Sequence, residues 1–264
     1  MKETTVIAFS GKGGVGKTSL AALTVRLLME HKPDARILAI DADPAIGLST
    51  ALGMEVSHTV DDIRKKFIET IEDGKAKEAI EILNEARYEI TDTIVEADGF
   101  AFLAIGRPEN AGCYCKVNSF LKEIIGILSE DFDYVVIDGE AGVEQVNRRV
   151  MEKVTHLLLV SDASKKGIGV IHTIRDVAQG LGMYNKVGAI INRVKSAEMQ
   201  KLVDTGDIPV LSFIPEDDQL ALMDVEGNSL LMLSGDAPTL QGLREALKKM
   251  DIIEGTSDER KGRA

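Results

Sequence analysis

SGKGGVGKTSL, Ser10 to Leu20, joins an apolar, β-branched run, Thr4 to Phe9, to a segment of helical period. From Gly11 to Thr18 it matches the pattern G-x-x-x-x-G-K-[ST]. Where such a stretch lies between a strand and a helix, its glycines let the backbone bend so that successive N–H groups and the helix N-terminus surround phosphate oxygens. The stretch therefore predicts a phosphate-binding loop at the end of the first strand.

Two side chains of this loop have predicted tasks of their own. Lys17 is expected to meet the β- and γ-phosphates of a nucleotide, and the Thr18 hydroxyl is expected to ligate Mg²⁺. The sequence therefore predicts binding of a nucleoside triphosphate together with Mg²⁺. The predicted nucleotide-binding residues of the loop are Gly11, Lys12, Gly13, Gly14, Val15, Gly16, Lys17, Thr18 and Ser19.

The rest of the chain alternates short apolar runs with longer segments of helical period. This alternation is typical of βα units, and it predicts an α/β fold: a doubly wound, mostly parallel sheet with helices on both faces. The apolar runs are TTVIAF, RILAI, FAFLAI, DYVVID, HLLLVS, KVGAIIN and PVLSFI. We expect one domain over residues 1–253, with a charge-rich helical insertion near residues 55–99, and a flexible tail over residues 254–264.

The overall charge narrows the choice of partners. The 264 residues carry a formal net charge of -12, and the sequence pI is about 4.9. An acidic chain opposes broad electrostatic contact with nucleic acid or with anionic lipid. The N-terminal stretch MKETTVIAFS has no apolar leader, and no window is long enough to span a bilayer. We therefore expect a cytoplasmic protein whose partners are neither nucleic acid nor membrane.

Acidic residues follow two more of the predicted strands. Asp41 and Asp43 lie in LAIDADPAIGLS, and Asp138 lies in DYVVIDGEAGVE, where Gly142 is expected to begin a mobile switch segment. Because the carboxyl ends of parallel strands meet at one edge of a sheet, these carboxylates are expected beside the phosphate loop, where they can hold the water shell of Mg²⁺. Helix capping is the alternative role for Asp41 and Asp43.

Both cysteines of the chain, Cys113 and Cys115, lie one residue apart in AGCYCKV. A disulfide between them is disfavoured, because it would close a small, strained ring in a reducing compartment. Two thiolates supply half of the four ligands of a closed zinc-type or iron–sulfur site, so a metal site here must be completed from elsewhere. The alternative is that both cysteines pack as small apolar side chains.

An early lysine distinguishes this loop from ordinary phosphate loops. KGGVGKT, with Lys12 ahead of the glycines, resembles the deviant phosphate loop of the MinD, ParA and nitrogenase iron protein superfamily. The resemblance implies that Lys12 of one subunit reaches the nucleotide of the other, in a homodimer that forms on nucleotide binding. It further implies that Asp43 positions the attacking water and that Asp41 makes an outer-shell contact with Mg²⁺. The implied catalytic residues are Lys12, Lys17, Asp43 and Asp138.

Two later segments resemble the adenine-contacting segments of the same superfamily. GAIINRV ends a predicted strand at Asn192, and SFIPEDDQL follows the last strand with Pro215, Glu216 and Asp217. A side-chain amide can pair with an adenine edge, and a backbone turn can supply the other polar contacts, so the resemblance implies ATP as the nucleotide. An Asn at a strand end is also a common turn residue, which is the alternative interpretation of Asn192.

The C-x-C stretch, taken with KGGVGKT and DGEAGVE, resembles the CooC-type nickel-insertion ATPases that mature carbon monoxide dehydrogenase. The resemblance implies that Cys113 and Cys115 of two subunits give four thiolates around a two-fold axis. It implies an ATP-hydrolysing metallochaperone that binds Ni²⁺, with Zn²⁺ as a second candidate, and delivers it to apo carbon monoxide dehydrogenase.

Two other functions remain open on the sequence. The first is an ATP-dependent reductase like the nitrogenase iron protein, with a [4Fe-4S] cluster bridging two subunits. Its weakness is that the switch segment GEAGVEQVNRRVMEKV supplies no cysteine. The second is a spatial-positioning ATPase of the MinD or ParA kind, which needs no metal at the cysteines.

Overall fold

The computed structural model describes residues 3–43, 45, 47–72, 88–106, 123, 125–139 and 153–254. Within these residues, eight strands form one sheet in the order β3-β4-β2-β5-β1-β6-β7-β8. The strands are β1 (Thr5–Gly11), β2 (Ile37–Asp41), β3 (Val95–Ala97), β4 (Phe100–Ala104), β5 (Tyr134–Asp138), β6 (Val154–Ser161), β7 (Tyr184–Val194) and β8 (Val210–Pro215). Every pairing is parallel apart from the antiparallel pair β3 and β4.

The helices connect these strands. Those with defined bounds are α1 (Lys17–His31), α2 (Gly47–Leu52), α3 (Val60–Glu72), α4 (Lys165–Gly180), α5 (Ala197–Leu202), α6 (Asp218–Glu226) and α7 (Pro238–Lys249), with a short 3₁₀ helix over Leu230–Met232. Residues 88–93 and 125–129 are also helical. None of the described helices has the length and apolar character needed to cross a membrane.

The predicted fold class is confirmed. All seven apolar runs form strands, and β1 lies between β5 on one side and β6 on the other. The chain therefore builds outward from β1 in one direction and later crosses to its other side. In open α/β sheets, ligands bind beyond the carboxyl ends of the strands at such a reversal point, and the phosphate loop begins there.

Alternation along β1 shows how the sheet is covered on both faces. Val6 and Ala8 pack into one apolar layer, whereas Ile7 and Phe9 pack into the other. Successive strand side chains point to opposite faces, so a fully buried strand needs apolar residues at every position. The first layer is covered by α3 and α4, and the second by α1 and α7.

One strand lies in the segment that was expected to be helical. β3 and β4 form a hairpin across Asp98 and Gly99, and Gly99 has a φ of +88°. A two-residue hairpin turn needs positive φ angles, which Asp-Gly sequences favour. The prediction of helix alone for residues 55–99 is therefore wrong at its end, and the Asp-Gly pair was the signal for the hairpin.

The described part of the insertion packs into the domain core. Val60, Ile63 and Ile90 are buried in the same apolar layer as the sheet. Asp61 and Arg64, both nearly inaccessible, form an ion pair of 2.6 Å, and the Asp61 N–H donates to the carbonyl of Ile105. Residues 73–87 and the expected tail beyond residue 254 lie outside the described residues.

The buried face of α1 gives a stability prediction. Leu27 is fully buried in the layer between α1, the sheet and α7. We expect Leu27→Ala to lower the free energy of unfolding by about 2–5 kcal/mol, because it removes buried methyl groups and leaves a cavity. Chemical denaturation measures this change. The control is Leu202→Ala, at a leucine that is 83% exposed at the end of α5, which should change stability by less than about 0.5 kcal/mol.

Candidate functional site

The turn from β1 into α1 depends on glycine at two positions. Gly11 has a φ of +154°, and a Cβ there would lie 2.0 Å from the carbonyl oxygen of Val160. Gly16 has a φ of +94° and immediately precedes α1, and a Cβ there would lie 2.7 Å from Nδ2 of Asn192. The ends of β6 and β7 therefore approach the loop more closely than any side chain at these two positions allows.

Lys17 is a buried cation at the first position of α1. Its side chain Nζ donates to the carbonyl oxygen of Lys12 at 3.3 Å, across the loop. An ammonium group has three N–H donors, and this hydrogen bond uses one of them. Burying a charge is unfavourable unless it is paired, so an anion in front of the loop would stabilise this lysine.

Lys12 has an acidic partner within its own chain. Its Nζ lies 3.0 Å from Oδ2 of Asp162, just after β6, and both side chains are about one third exposed. Burial alone would raise the pKa of Asp162, but hydrogen bonds from Ser164 and Lys12 outweigh it and hold that pKa below its ordinary value. Ion pairs near the surface stabilise a fold by only about 0–1 kcal/mol, so little free energy is needed to separate Lys12 from Asp162.

An open cleft of about 620 Å³ lies in front of the loop. Its wall includes the predicted residues Gly13, Gly14, Gly16, Lys17, Thr18, Ser19 and Asp43. The same wall also contains Gly47, Thr50, Ala51, Arg193, Asp224, Gly227, Asn228 and Leu230, which sequence reasoning missed. The loop, the segment after β2, the end of β7 and the end of α6 therefore meet around one space.

The two aspartates after β2 have different environments. Asp41 is fully buried, and its carboxylate accepts hydrogen bonds from the N–H groups of Asp43 at 3.1 Å and Leu48 at 2.8 Å. Burial raises the pKa of Asp41 to about 6, although these hydrogen bonds favour its charged form. Asp43 is half-buried and accepts from the N–H of Ala45. Asp41 thus holds the start of α2, and Asp43 is the one that faces the cleft.

Asp138 is the most unusual polar residue of the site. Its carboxylate is fully buried, and neither oxygen has a well-formed hydrogen bond from any residue in the described ranges, although the Thr18 hydroxyl lies near enough to favour the charged form. Asp138 lies opposite Asp41 in the register of β5 and β2. Burial raises the pKa of Asp138 to about 7, and the neighbouring charge of Asp41 adds to the effect.

These residues fit a Mg²⁺ ion that arrives with a nucleotide. A buried carboxylate without a partner is a costly arrangement, and hard oxygen donors such as Asp138 and Thr18 suit Mg²⁺. The described part of the chain contains no group of three or more His, Cys, Asp or Glu that could hold a metal ion. Phosphate oxygens and water would therefore have to complete the Mg²⁺ shell, as is usual in nucleotide sites.

Asn192, predicted as an adenine contact, lies behind the phosphate loop. Its Nδ2 donates to the carbonyl oxygen of Val15 at 2.8 Å, and its Oδ1 accepts from the N–H of Arg193 at 3.0 Å. The side chain is therefore a brace between β7 and the loop. One amide hydrogen is left for an adenine, so the predicted contact stays a prediction.

The second predicted adenine segment follows β8 and does not line the cleft. Pro215 and Glu216 are exposed, and Glu216 lies 3.5 Å from Nζ of Lys195. The carboxylate of Asp217 accepts from the N–H groups of Leu220 and Thr239, so it caps α6 and holds the start of α7. The predicted contacts of this segment with adenine stay predictions. Cys113, Cys115 and Gly142 lie outside the described residues.

The residue that sequence reasoning missed most clearly is Arg193. It lines the cleft, and its Nη1 donates to the carbonyl oxygen of Gly14 at 2.9 Å. A cation directly after Asn192 at the end of a predicted strand was a usable signal, because that end was already expected at the loop. The cleft residues at the end of α6 had a weaker signal in the sequence. It was the Gly227-Asn228 pair, because glycine is common directly after the end of a helix.

Known proteins are similar in sequence to most of the chain. Residues 6–230 match the CobQ/CobB/MinD/ParA nucleotide binding domain family. An uncharacterized ATP-binding protein of Methanocaldococcus jannaschii is 34% identical over 250 residues, which cover 93% of this chain and 98% of that protein. The carbon monoxide dehydrogenase accessory protein CooC of Rhodospirillum rubrum is 29% identical over 239 residues, which cover 86% of this chain and 90% of CooC.

A solved structure supports the same fold. The septum site-determining protein MinD of Pyrococcus horikoshii, complexed with Mg-ADP, superposes with a TM-score of 0.68 at 22% sequence identity. The match covers 99% of this chain and 100% of that one. At this identity the likeness is one of fold.

The buried carboxylate of Asp138 gives a pH-dependent prediction. Its pKa is raised from 3.8 to about 7, so the folded protein favours the protonated form, and ionisation destabilises the fold increasingly from about pH 4 to about pH 7. In the absence of divalent cations, Asp138→Asn should therefore gain stability relative to the wild type as the pH rises over this range. One pKa unit corresponds to about 1.4 kcal/mol, so the gain is a few kcal/mol at most.

Urea denaturation in the presence of a chelator, at about pH 5 and about pH 8, measures this difference. The control is Asp34→Asn, at an exposed carboxylate before β2. A stability difference between Asp138→Asn and wild type that is the same at both pH values would show that Asp138 is not held as a buried, partnerless carboxylate.

Proposed function

The chain belongs to the CobQ/CobB/MinD/ParA nucleotide-binding domain family, and on that premise we propose that it uses ATP hydrolysis in a homodimer to carry nickel to a client enzyme. The ATPase part rests on one observation above all. Within the described residues, the buried carboxylate of Asp138 has only the nearby Thr18 hydroxyl beside it, and the phosphate loop next to it holds the buried ammonium group of Lys17, which donates to the carbonyl oxygen of Lys12. An Mg²⁺–ATP complex satisfies both of these groups.

Each part of the site has a task in hydrolysis. The loop backbone and Lys17 would bind the phosphates, and Thr18 and Asp138 would hold Mg²⁺ and its water. Mg²⁺, bound with the nucleotide, neutralises charge on the β- and γ-phosphates. Asp43, the half-buried carboxylate in the cleft wall, accepts a hydrogen bond from the attacking water and directs it to the γ-phosphate.

Lys12 has to change partners in this mechanism. In the single chain its Nζ is paired with Asp162. On formation of the homodimer it turns to the nucleotide bound by the other subunit, where it stabilises the charge on the transferring phosphoryl group, as an arginine finger does. This exchange makes hydrolysis depend on dimerisation.

Nickel delivery is the finer part of the proposal. It is supported by the similarity to CooC over most of both chains and by the C-x-C stretch of Cys113 and Cys115. Four thiolates from two subunits suit a soft or borderline ion such as Ni²⁺ or Zn²⁺. The proposed client is apo carbon monoxide dehydrogenase, and the proposed compartment is the cytoplasm.

A positioning ATPase is the second candidate function. It is favoured by the likeness of fold to MinD, which extends over the whole chain. In such a protein the cysteines would bind no metal, and a protein partner or a surface would read the nucleotide state. The metal experiment below separates the two candidates, and a broad brown absorption in anaerobically purified, iron-replete protein would instead favour a bridging [4Fe-4S] cluster.

Loss of Lys12 and loss of Lys17 should have different effects. Lys17→Ala removes charge-assisted hydrogen bonds to phosphate of about 1.5–3 kcal/mol, so it should weaken ATP binding roughly 10- to 100-fold. Lys12→Ala should leave binding to the single chain nearly unchanged but lower the hydrolysis rate by about 10³-fold or more. Isothermal titration and phosphate release measure the two effects. Lys165→Ala, at an exposed lysine of α4, is the control.

Mixing the two variants tests whether Lys12 acts between subunits. A Lys12→Ala subunit can still bind ATP, and a Lys17→Ala subunit can still supply Lys12, so a mixed dimer contains one complete site. Part of the hydrolysis rate should return on mixing. If the mixture stays as inactive as its components, although light scattering shows mixed dimers, Lys12 does not act across the interface.

The cysteine pair should control nickel binding. We expect the wild type with a non-hydrolysable ATP analogue to bind about one Ni²⁺ per dimer, and Cys113→Ala with Cys115→Ala to bind none. Anaerobic titration measures the stoichiometry, and activation of apo carbon monoxide dehydrogenase by the loaded protein measures delivery. The control is His58→Ala, which removes an exposed imidazole that could bind Ni²⁺ adventitiously. Unchanged nickel binding in the cysteine variant would refute the carrier and leave the positioning ATPase.

A further inference from the structure

The end of β7 departs from regular strand geometry next to the phosphate loop. Arg193 has a φ of +58°, in the left-handed region, and it is followed by Val194, the last residue of the strand. The pairing of β7 with β8 shifts register between Ile191 and Val194. A non-glycine residue in this conformation is strained by about 1 kcal/mol or more and persists only where its surroundings hold it.

This irregularity re-aims one side chain. In a regular strand, Asn192 and Arg193 would point to opposite faces of the sheet. Here both reach the phosphate loop: Asn192 donates to the carbonyl oxygen of Val15 at 2.8 Å, and Arg193 donates to that of Gly14 at 2.9 Å. Strand irregularities beside functional sites commonly serve this purpose.

The two hydrogen bonds fix consecutive peptide units of the loop. In a planar trans peptide, the C=O and the N–H point in opposite directions. Holding the carbonyls of Gly14 and Val15 toward β7 therefore turns the N–H groups of Val15 and Gly16 away from β7. Those N–H groups are the donors that a phosphate needs.

We propose that Arg193 is a positioning residue for nucleotide binding: it acts through the Gly14 carbonyl to hold the phosphate loop in its anion-binding conformation. This inference rests on the proposed ATPase function and adds a residue to it. Asn192 is the buried half of the brace, and Arg193 is the exposed half, on the wall of the cleft. The hydrogen bond to the Gly14 carbonyl opposes the backbone strain at Arg193.

Three variants distinguish the effect of the hydrogen-bond donor of Arg193 from the effect of its backbone strain. Arg193→Met keeps the backbone strain and removes the donor, Arg193→Lys keeps a cationic donor, and Arg193→Gly removes both the donor and the strain. Arg36→Met, an exposed arginine at the start of β2 near Asp133, is the control for loss of one positive charge. The measurements are the dissociation constants of ATP and ADP, kcat and KM for ATP, and thermal unfolding of the nucleotide-free protein.

We expect Arg193→Met to raise the dissociation constants of ATP and ADP by the same factor, between about 3- and 10-fold, because the loop binds phosphates that both nucleotides carry. KM should rise while kcat stays within about twofold of the wild type, and Arg193→Lys should recover part of the affinity. Arg193→Gly should bind nucleotide as weakly as Arg193→Met and yet unfold at the same or a higher temperature than the wild type.

The decisive result is that Arg193→Gly weakens nucleotide binding without lowering the unfolding temperature. If Arg193 only stabilised the fold, its loss would lower both the stability and the nucleotide affinity. Equal nucleotide affinity of Arg193→Met and wild type would overturn the inference and leave the ATPase proposal intact. Absence of nucleotide binding by the wild type itself would overturn the ATPase proposal instead.

Discussion

A chain that turns from a buried strand into a buried helix leaves backbone N–H groups without partners, and this constraint governs the whole site. The first N–H groups of a helix have no carbonyl to bind within the helix. Gly11 and Gly16 allow β6 and β7 to press against the loop, and the first residues of α1 line the cleft in front of it. The space is therefore electropositive by backbone geometry, before any side chain is counted.

Buried charges add a second constraint at the same edge of the sheet. Asp41 and Asp138 lie opposite each other on adjacent strands, and both are fully buried. Burial is the main reason why the pKa values of both carboxyls are raised, and the charge of Asp41 adds to the rise at Asp138. Backbone N–H groups satisfy Asp41, whereas Asp138 has no well-formed hydrogen bond among the residues that the structure describes and has only the Thr18 hydroxyl nearby. The fold thus keeps one carboxylate whose stable partner is a cation.

The sequence predicted the parts whose signals are local. The loop, the parallel strands and the acidic residues after β2 and β5 follow from periodicity, glycine placement and the rule that strand ends meet. The sequence could place Arg193 near the loop, as the residue after a predicted strand end, but not its hydrogen bond to the loop, because that contact depends on a positive φ and a register shift that no pattern encodes. The contact of Asp217 with the start of α7 was likewise hidden, since its partner Thr239 lies 22 residues further along the chain.

The ion pair between Lys12 and Asp162 indicates how nucleotide binding would control formation of the proposed homodimer. The pair is about one third exposed on each side, so it stabilises the single chain by about 1 kcal/mol at most. A hydrogen bond from the same ammonium to a phosphate in a closed interface contributes about 1.5–3 kcal/mol. In the proposed homodimer without nucleotide, the internal contact would be the better one, because Lys12 would otherwise be unpaired in the interface. With nucleotide in the facing subunit the balance would reverse, and a weak internal contact is what would allow that reversal.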